Sequence, residues 1–258
     1  MDDLFSASTR ERSFKNAPLA VRMRPNSLDE YVGQQKAVGK GSWLRAAIEH
    51  DVLSSVILYG PAGTGKTTLA HIIANHTKSE FVEVSAVTGT VKDLRRVIDE
   101  AKTRLNTYDR RTILFIDEIH RFSKSQQDAL LHAVENRTVI MIGATTENPY
   151  FEVNSALLSR GRVVELEHLK DEDIAMLIER ALEAPQGLNG KFSADDDTVK
   201  TICTLAAGDA RSALTTLELA SEIAVTRPDT EGTPAPAAGE RYPITVDDVK
   251  IANPRRGF

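Results

Sequence analysis

The sequence has a single cysteine, Cys203, few aromatic residues, no long apolar run and no excess of positive charge. One cysteine excludes an internal disulfide and a cysteine-rich metal site, and such usage is typical of the reducing cytoplasm, where we expect this protein. No stretch of about 18 apolar residues occurs, so a transmembrane helix is excluded and no membrane partner is expected. The residues before Pro18 begin with acids and lack an apolar segment, which excludes a secretory signal.

The charge balance is slightly acidic. The chain has 258 residues, with 32 Lys and Arg against 37 Asp and Glu, and a net charge of −5. This balance excludes a histone-like protein that binds nucleic acid through a global positive field, but it leaves room for a local basic patch. The length is sufficient for one large or two modest domains, each with a buried core.

The apolar pattern divides the chain into three parts. We expect residues 1–20, which are polar and poorly periodic, to form a flexible segment. Residues 21–169 are predicted to form an α/β domain, and residues 170–258 a small all-helical domain. A flexible insertion is predicted at residues 227–243, which are rich in Pro, Gly and Ala. The helical candidates of the last part are Asp171–Ala184, Asp195–Ala207, Arg211–Ala224 and a short helix from Thr245.

Short apolar runs alternate with amphipathic stretches in the α/β part. The runs are Val56–Tyr59, Phe81–Val84, Ile113–Ile116, Val139–Ile142 and Val163–Leu166. The intervals between them have helical spacing, and the capping-box pattern Ser123-x-x-Gln126 predicts the start of one helix. A further helical period covers Gln34–His50. Strands that alternate with helices predict a parallel sheet covered on both faces.

A phosphate-binding loop is predicted directly after the first run. The segment GPAGTGKT at Gly60–Thr67 fits the pattern G-x-x-x-x-G-K-[ST], with a strand before it and a helix after it. Glycines allow consecutive backbone N–H groups to face one anion, and the helix N-terminus adds partial positive charge. We expect Lys66 to reach the β- and γ-phosphates and the Thr67 hydroxyl to bind Mg²⁺. The predicted nucleotide-binding residues are Gly60, Pro61, Ala62, Gly63, Thr64, Gly65, Lys66, Thr67 and Thr68.

Two acids follow the third apolar run. In an open α/β sheet, ligands bind at the carboxyl ends of the strands, so Asp117 and Glu118 are expected beside the phosphate loop. Asp117 is predicted to hold Mg²⁺ through water, and Glu118 to orient and polarise the attacking water. A second acid favours hydrolysis over nucleotide storage. Thr145 and Thr146 follow shortly after the fourth run, and either of them can contact the water or the γ-phosphate.

These motifs, in this order, resemble the AAA+ ATPases of the clamp-loader branch. The closest resemblance is to the replication-associated recombination protein A family, also called maintenance-of-genome-stability ATPases and related to the Werner-helicase-interacting protein. The P-loop alone indicates a broad superfamily, whereas DEIHRF joined to ATTENPYFEVNSALLSR is far more specific. The strings that carry the resemblance cover nearly all of Pro18–Ala220 and include LDEYVGQQ, ILYGPAGTGKTTLA, RTILFIDEIHRF, IGATTENPYFEVNSALLSR and GDARSAL.

The resemblance implies a fold and further residue roles. The expected fold is a P-loop AAA+ domain with a five-stranded parallel sheet of order 5-1-4-3-2, followed by a small helical lid. Arg160 resembles an arginine finger that reaches the ATP of a neighbouring subunit, and Arg211 resembles sensor 2, which acts in cis. Thr146 resembles sensor 1, with Thr145 as a close competitor. The residues that match the adenine-covering segment are Met23, Pro25, Val32 and Gly33.

The resemblance also implies an activity and partners. It implies an ATPase that uses Mg²⁺, converts ATP and water to ADP and phosphate, and acts on DNA forks or junctions in replication-fork maintenance, recombination and repair. Single-strand-binding protein and replisome components are further expected partners, in a nucleoid-associated cytoplasmic protein. The alternative is a nucleotide-gated adaptor or clamp-loader-like subunit, in which ATP mainly controls assembly.

Two questions remain open at the level of sequence. Basic residues cluster at Arg95/Arg96, Arg104, Arg110/Arg111 and Arg121/Lys124, and this pattern fits a DNA-contacting surface or a solvated helix face equally. Family members continue into a helical region that mediates tetramer formation, whereas this sequence ends at Phe258. We therefore expect an isolated ATPase core, either monomeric or assembled, with weak activity when no neighbour supplies Arg160.

Overall fold

The computed structural model describes residues 16–231, 236–237 and 239–253, which fall into two compact units. The α/β unit comprises residues 25–167. The helical unit comprises the described residues up to Arg24 together with those from His168 onward. The division therefore lies at residues 24 and 167, a few residues from the boundaries predicted at 20 and 169.

Helices and strands alternate along most of the α/β unit, and helices predominate after it. The helices are α1 Leu19–Arg22, α2 Gln35–Val38, α3 Trp43–Glu49, α4 Lys66–Thr77, α5 Val91–Tyr108, α6 Lys124–Glu135, α7 Pro149–Glu152, α8 Ser155–Leu158, α9 Asp171–Glu183, α10 Asp196–Ala206, α11 Ala210–Glu231 and α12 Val246–Ala252. The strands are β1 Val56–Tyr59, β2 Glu80–Ser85, β3 Thr112–Asp117, β4 Ile140–Thr145, β5 Arg162–Glu165, β6 Phe192–Ala194 and β7 Tyr242–Ile244. Among the residues placed, no helix has the length and apolarity that crossing a membrane requires.

The sheet of the α/β unit confirms the predicted order. Its five strands are parallel and run β2-β3-β4-β1-β5, which is the order 5-1-4-3-2 read from the other side. Each of the five apolar runs forms one strand. The register pairs Tyr59 with Thr145 and Ser85 with Asp117, so the polar ends of the strands lie at one edge of the sheet.

Burial on both faces explains why the strands are continuous apolar runs. Leu58 and Phe115 point into a core that they share with residues of α3 and α4. Their chain neighbours Ile57 and Leu114 point into the opposite core, with residues of α5 and α6. Alternate side chains of a strand face opposite sides, so a sheet covered twice needs apolar residues at every position.

Of two helix predictions made from local patterns, the structure confirms one and contradicts the other. The capping box at Ser123 is confirmed, because the Gln126 N–H donates to Ser123 Oγ at 3.3 Å and the Ser123 N–H donates to Gln126 Oε1 at 2.8 Å. The single helical stretch predicted over Gln34–His50 is wrong, since it is divided into α2 and α3. The break lies where Gly41 adopts a φ of +85°, a conformation that favours glycine.

The predicted flexible segment at residues 1–20 requires a partial correction. Residues 1–15 lie outside the described part of the chain, but residues 16–20 lead into α1. Leu19 is fully buried in the core of the helical unit. Its N–H donates to Glu218 Oε1 at 2.9 Å, so a side chain of α11 satisfies the open end of this short helix.

The helical unit contains strands and a longer helix that the sequence did not reveal. The predicted helices appear as α9, α10, α11 and α12, but β6 and β7 add a two-stranded parallel sheet, with Phe192 opposite Tyr242. The flexible insertion predicted at 227–243 is wrong at both ends, since α11 continues to Glu231 and β7 begins at Tyr242. Strands of three residues are too short to produce a recognisable period.

A buried ion pair between Arg227 and Asp248 connects the two sides of the predicted insertion. Arg227 Nη1 donates to Asp248 Oδ2 at 2.6 Å, and the two side chains are 19% and 2% exposed. Arg227 Nη2 also donates to the carbonyl of Pro243 at 2.9 Å, while the Asp248 carboxylate accepts the N–H of Thr245 at 2.8 Å. One carboxylate therefore joins the end of α11 to the first turn of α12.

We expect Asp248→Ala to destabilise the protein by about 3 kcal/mol or more, because it leaves the Arg227 guanidinium without its carboxylate and removes the carboxylate half of the capping box of α12. Urea unfolding followed by circular dichroism measures the change. Asp247→Ala is the matched control, since the Asp247 side chain is 86% exposed and lies 3.8 Å from its lysine partner. The control should cost less than about 0.5 kcal/mol, and equal losses in both variants would contradict the prediction.

Candidate functional site

The loop between β1 and α4 is fixed by bonds to both neighbouring strands. The Gly60 N–H donates to the carbonyl of Thr145 at the end of β4, at 3.1 Å. On the other side, the Leu166 N–H donates to the carbonyl of Tyr59 at 2.7 Å. Helix α4 starts directly after the loop, with the Leu69 N–H bonded to the carbonyl of Gly65 at 2.8 Å. The open N–H groups of its first turn therefore face the region above the β4 and β1 ends.

The ammonium group of Lys66 lies within the curve of this loop. Its Nζ donates to the carbonyl of Gly60 at 2.7 Å and to that of Pro61 at 2.6 Å. The Thr64 hydroxyl also donates to the Pro61 carbonyl, at 2.9 Å. The structure therefore concentrates positive charge at the point where a phosphate chain would meet the helix N-terminus.

Tyr31 braces the loop from a segment that sequence reasoning did not assign to the phosphate cradle. Its hydroxyl lies 3.2 Å from the carbonyl oxygens of both Thr64 and Gly65. Burial raises the pKa of the Tyr31 phenol well above its ordinary value, so the group stays a neutral hydrogen-bond donor. Gln34 Nε2 adds a bond to the Thr64 carbonyl at 3.3 Å. Tyr31 and Gln34 both occur in the string LDEYVGQQ, and this string is the sequence signal from which their contact with the loop could have been suspected.

Gly65 is required by backbone geometry and by space. It precedes α4 with a φ of +94°, and a Cβ built there would lie 2.6 Å from the Tyr31 hydroxyl oxygen. Gly60 is similarly constrained, because a Cβ there would collide with the carbonyl of Leu166. The two glycines thus keep the backbone close enough to its neighbours for the loop to curve around an anion.

We expect Gly65→Ala to weaken ATP binding by roughly tenfold or more, because the loop must move to relieve the clash with Tyr31. Titration with a fluorescent ATP analogue measures the affinity. Gly41→Ala is the control, since Gly41 also has a positive φ, +85°, but has no atom within 4 Å of its built Cβ. This control should lose about 1 kcal/mol of stability and keep its affinity. Unchanged ATP affinity in Gly65→Ala would contradict the prediction.

The two acids after β3 have different surroundings. Asp117 ends the strand and accepts the Glu118 N–H on Oδ1 at 3.1 Å. Glu118 has a φ of +52°, and its carboxylate forms an ion pair with Arg121 Nε at 2.9 Å. The chain thus turns sharply at Glu118, and Arg121 is a partner of this carboxylate that sequence reasoning missed.

The two threonines after β4 are distinguished by burial. Thr145 is 1% exposed, and its hydroxyl contacts His120 Nδ1 at 2.9 Å and the Glu147 N–H at 3.0 Å. Thr146 is exposed and follows the last residue of the strand. The hydroxyl of Thr145 is therefore occupied by its own chain. The same contact holds the imidazole of His120.

Arg160 lies on the surface just after α8. Its Nη1 donates to Ser159 Oγ at 2.9 Å and its Nη2 to Glu135 Oε1 at 2.8 Å. The Arg160 side chain is 48% exposed, so it has access to a partner molecule. Arg160 belongs to the α/β unit, whereas Arg211 lies exposed in the first turn of α11 in the helical unit.

The predicted adenine-covering residues are divided between the units. Pro25, Val32 and Gly33 belong to the α/β unit, and the last two directly follow Tyr31. Met23 belongs to the helical unit, where it packs against the apolar core. Within the α/β unit, the structure therefore brings the Tyr31 segment to the phosphate loop.

The donor set fits a nucleotide with a hard divalent cation. The cradle offers backbone N–H groups and Lys66 to phosphate oxygens, and the Thr67 hydroxyl and the Asp117 carboxylate are oxygen ligands of the kind that Mg²⁺ prefers. Across the described ranges, no cluster of three or more His, Cys, Asp or Glu residues forms a separate metal site. Oxygen ligands shared with phosphate are typical of magnesium sites in nucleotide hydrolases.

A basic groove of about 1080 Å³ follows α5 on the surface of the α/β unit. The charged side chains that line it are Lys92, Arg95, Arg96, Arg104 and Arg110, with Asp99 and Glu100 as the acids. Arg96 pairs with Glu100, and Arg110 pairs with Glu80. The lining thus has five cationic and two acidic groups, so this face is positive on a chain whose net charge is −5.

Comparison with known proteins agrees with this geometry. Residues 56–170 match the model of the ATPase family associated with various cellular activities (AAA). Replication-associated recombination protein A of Escherichia coli K12 is 50% identical over 209 residues, which cover 80% of this chain and 46% of that protein. ATPase WRNIP1 of Dictyostelium discoideum is 44% identical over 217 residues, which cover 84% of this chain and 24% of that protein. The chain spans about half or less of the length of these curated relatives.

Solved structures share the fold over most of the chain. The Thermotoga maritima RuvB Holliday junction branch migration motor has a TM-score of 0.70 and 29% identity, covering 90% of this chain and 72% of that one. The AAA match, the sheet order and the identity to the recombination proteins agree with one another. The chain has the α/β fold of the AAA ATPases, and over about 80% of its length its sequence is similar to the replication-associated recombination protein A family.

Proposed function

We propose that this protein is a DNA-dependent ATPase that hydrolyses ATP to ADP and phosphate in the maintenance of replication forks, recombination and repair. The observation that carries the proposal is the convergence of the phosphate loop, the β3 acids and the β4 hydroxyls at one edge of the sheet. The bond between the Gly60 N–H and the Thr145 carbonyl ties two of these elements together. A cytoplasmic, nucleoid-associated location follows from this role and is part of the proposal.

Each polar residue at this edge has a proposed role in hydrolysis. Lys66 and the loop N–H groups bind the β- and γ-phosphates, and Thr67 and Asp117 hold Mg²⁺, which supplies charge neutralisation at the phosphates. Glu118 orients and polarises the attacking water. Arg121 Nε lies 2.9 Å from one of its carboxylate oxygens, so this ion pair has to open before that oxygen can accept a proton from water.

The roles that involve other parts of the molecule rest mainly on the resemblance. Thr146 is proposed as sensor 1, supported by its exposure and by the occupied hydroxyl of Thr145. Arg211 is proposed as sensor 2, and Met23, Pro25, Val32 and Gly33 as the adenine-covering segment. Arg160 is proposed to reach the γ-phosphate of a neighbouring copy, supported by its exposure.

DNA is the proposed activator, and the groove along α5 is the proposed contact surface. Cationic side chains bind the phosphate backbone and release its counterions, so a positive groove on an acidic chain is a physically adequate site. Single-strand-binding protein and replisome components are proposed as further partners. If the protein works as a homo-oligomer, its specific activity should rise with protein concentration, because only the oligomer supplies Arg160 in trans. If it works as a monomer, its specific activity should not depend on protein concentration.

ATPase rates with and without forked DNA test the proposal. We expect DNA to raise the rate, and we expect Arg95→Glu to lower the apparent DNA affinity and the slope of its salt dependence. Lys40→Glu is the matched control, since Lys40 is exposed in the same unit but does not line the groove. A hydrolysis rate that does not change when DNA is added would overturn the DNA part of the proposal. Equal effects of Arg95→Glu and Lys40→Glu on DNA affinity would also overturn it.

A second candidate function is a nucleotide-gated adaptor or clamp-loader-like subunit. The ion pair between Glu118 and Arg121 favours it, because a guanidinium occupies one oxygen of the proposed base. In that case ATP binding alone would change the assembly with DNA or protein partners. Partner binding that is the same with ATP and with a non-hydrolysable analogue would favour the adaptor over the motor.

A further inference from the structure

We propose that Glu135 is a positioning residue for Arg160, the arginine finger of the proposed ATPase. The inference rests on the proposed trans role of Arg160 and adds a residue to which none of the roles above has been assigned. Arg160 Nη2 donates to Glu135 Oε1 at 2.8 Å, while Nη1 donates to Ser159 Oγ at 2.9 Å. The guanidinium is thus held at two terminal nitrogens, by the helix α6 on one side and by its own chain on the other.

The exposure of Arg160 makes such a restraint useful. The side chains of Arg160 and Glu135 are 48% and 32% exposed, so neither is fixed by a packed core. A free arginine side chain samples many rotamers and loses that freedom when it binds a phosphate. An anchor that selects one orientation beforehand lowers this entropic loss, in the same way that preorganisation assists other catalytic groups.

The place of Glu135 in its helix argues against a purely structural role. It is the last residue of α6. A carboxylate at a helix C-terminus faces the negative end of the helix dipole, so α6 itself gains no stability from this charge. Within the described part of the chain, Arg160 is the only ion-pair partner of Glu135. Glu135 is unfavourable for its own helix but forms an ion pair with Arg160. Its presence is therefore best explained by its effect on Arg160.

The first test compares stability with turnover. We expect Glu135→Gln to leave the unfolding temperature unchanged or slightly higher, and to lower kcat by about two- to tenfold with little change in the KM for ATP. Glu183→Gln is the matched control, because Glu183 forms a similarly exposed ion pair with Arg241 in the helical unit. An unchanged or higher kcat in Glu135→Gln would overturn the inference.

A double-mutant cycle separates positioning from an independent contribution. Arg160→Ala removes the group that Glu135 is proposed to position, so adding Glu135→Ala to it should cause no further loss of kcat. If the two losses multiply, Glu135 acts independently of Arg160 and the inference is wrong. If Arg160→Ala loses no activity even at high protein concentration, the proposed finger is wrong, and the inference falls with it.

Mixed assemblies identify the subunit in which Glu135 acts. Lys66→Ala chains lack a working site but can donate Arg160, and Arg160→Ala chains have a working site but lack the finger, so a mixture should recover activity. We expect Glu135→Ala to reduce this recovery only when it is placed in the Lys66→Ala chain. A reduction only in the other chain would overturn the inference, while no recovery at all would overturn the trans role of Arg160 and the inference together.

Discussion

Lys66→Ala is expected to reduce ATP hydrolysis by at least about 100-fold and to weaken ATP binding by roughly 10- to 100-fold. The ammonium group lies within the phosphate loop, where its Nζ is 2.7 Å from the Gly60 carbonyl and 2.6 Å from the Pro61 carbonyl. Its removal takes away the one side-chain cation of the loop motif, while the backbone N–H groups of the cradle remain. Release of phosphate and titration with a fluorescent ATP analogue measure the two effects.

Two controls make this result interpretable. Lys40→Ala removes an exposed lysine from the same unit and should change neither rate nor affinity. The unfolding temperature of Lys66→Ala should stay close to that of the wild type, because Lys66 is the first residue of α4 and belongs to neither apolar core. Hydrolysis that survives Lys66→Ala at the wild-type rate would remove the phosphate loop from the proposed reaction.

Glu118→Gln is expected to bind ATP with nearly wild-type affinity but to lower kcat by about 100- to 10,000-fold. Glutamine keeps the size of the side chain and loses the charge that polarises water. The variant also weakens the contact with Arg121, which is an exposed pair and should contribute little to stability. Single-turnover hydrolysis and equilibrium ATP binding, measured on the same preparation, separate the two functions.

Glu147→Gln is the matched control for this variant. Glu147 is an exposed acid two residues after the end of β4, and its backbone N–H rather than its carboxylate contacts Thr145. It should therefore hydrolyse ATP at the wild-type rate. If Glu118→Gln instead lost ATP binding together with turnover, the proposed division between phosphate cradle and general base would be wrong.

Much of the α/β unit could be predicted because its signals are local. An apolar run such as Val56–Tyr59 is buried on both faces, and GPAGTGKT has few uses other than phosphate binding. The order of the strands came from the resemblance, since periodicity alone does not say which strands are neighbours. The break at Gly41 was missed because the apolar period continues across it, although the backbone does not.

The remainder depended on contacts between residues that are distant in the chain. Composition marked 227–243 as a loop, but Arg227 is bound by Asp248, and β7 is paired with β6. In the site, Tyr31 contacts the loop through its hydroxyl and Glu135 contacts Arg160 through its carboxylate, and neither pair has a characteristic spacing. Such partners become visible only when the chain is folded.

Three contacts bind the last elements of the helical unit to earlier parts of the same unit. We therefore expect these elements to stay bound even when the chain that leads to them is cut. Ile244 accepts a bond from the Thr198 hydroxyl, Asp248 binds Arg227, and Asn253 Nδ2 donates to Thr216 Oγ1 at 2.8 Å. A polypeptide that begins at about Glu240 should therefore complement a fragment that ends at Glu231. The same logic makes the interval between them a suitable point for inserting a reporter domain, because lengthening a connection between anchored ends costs little free energy.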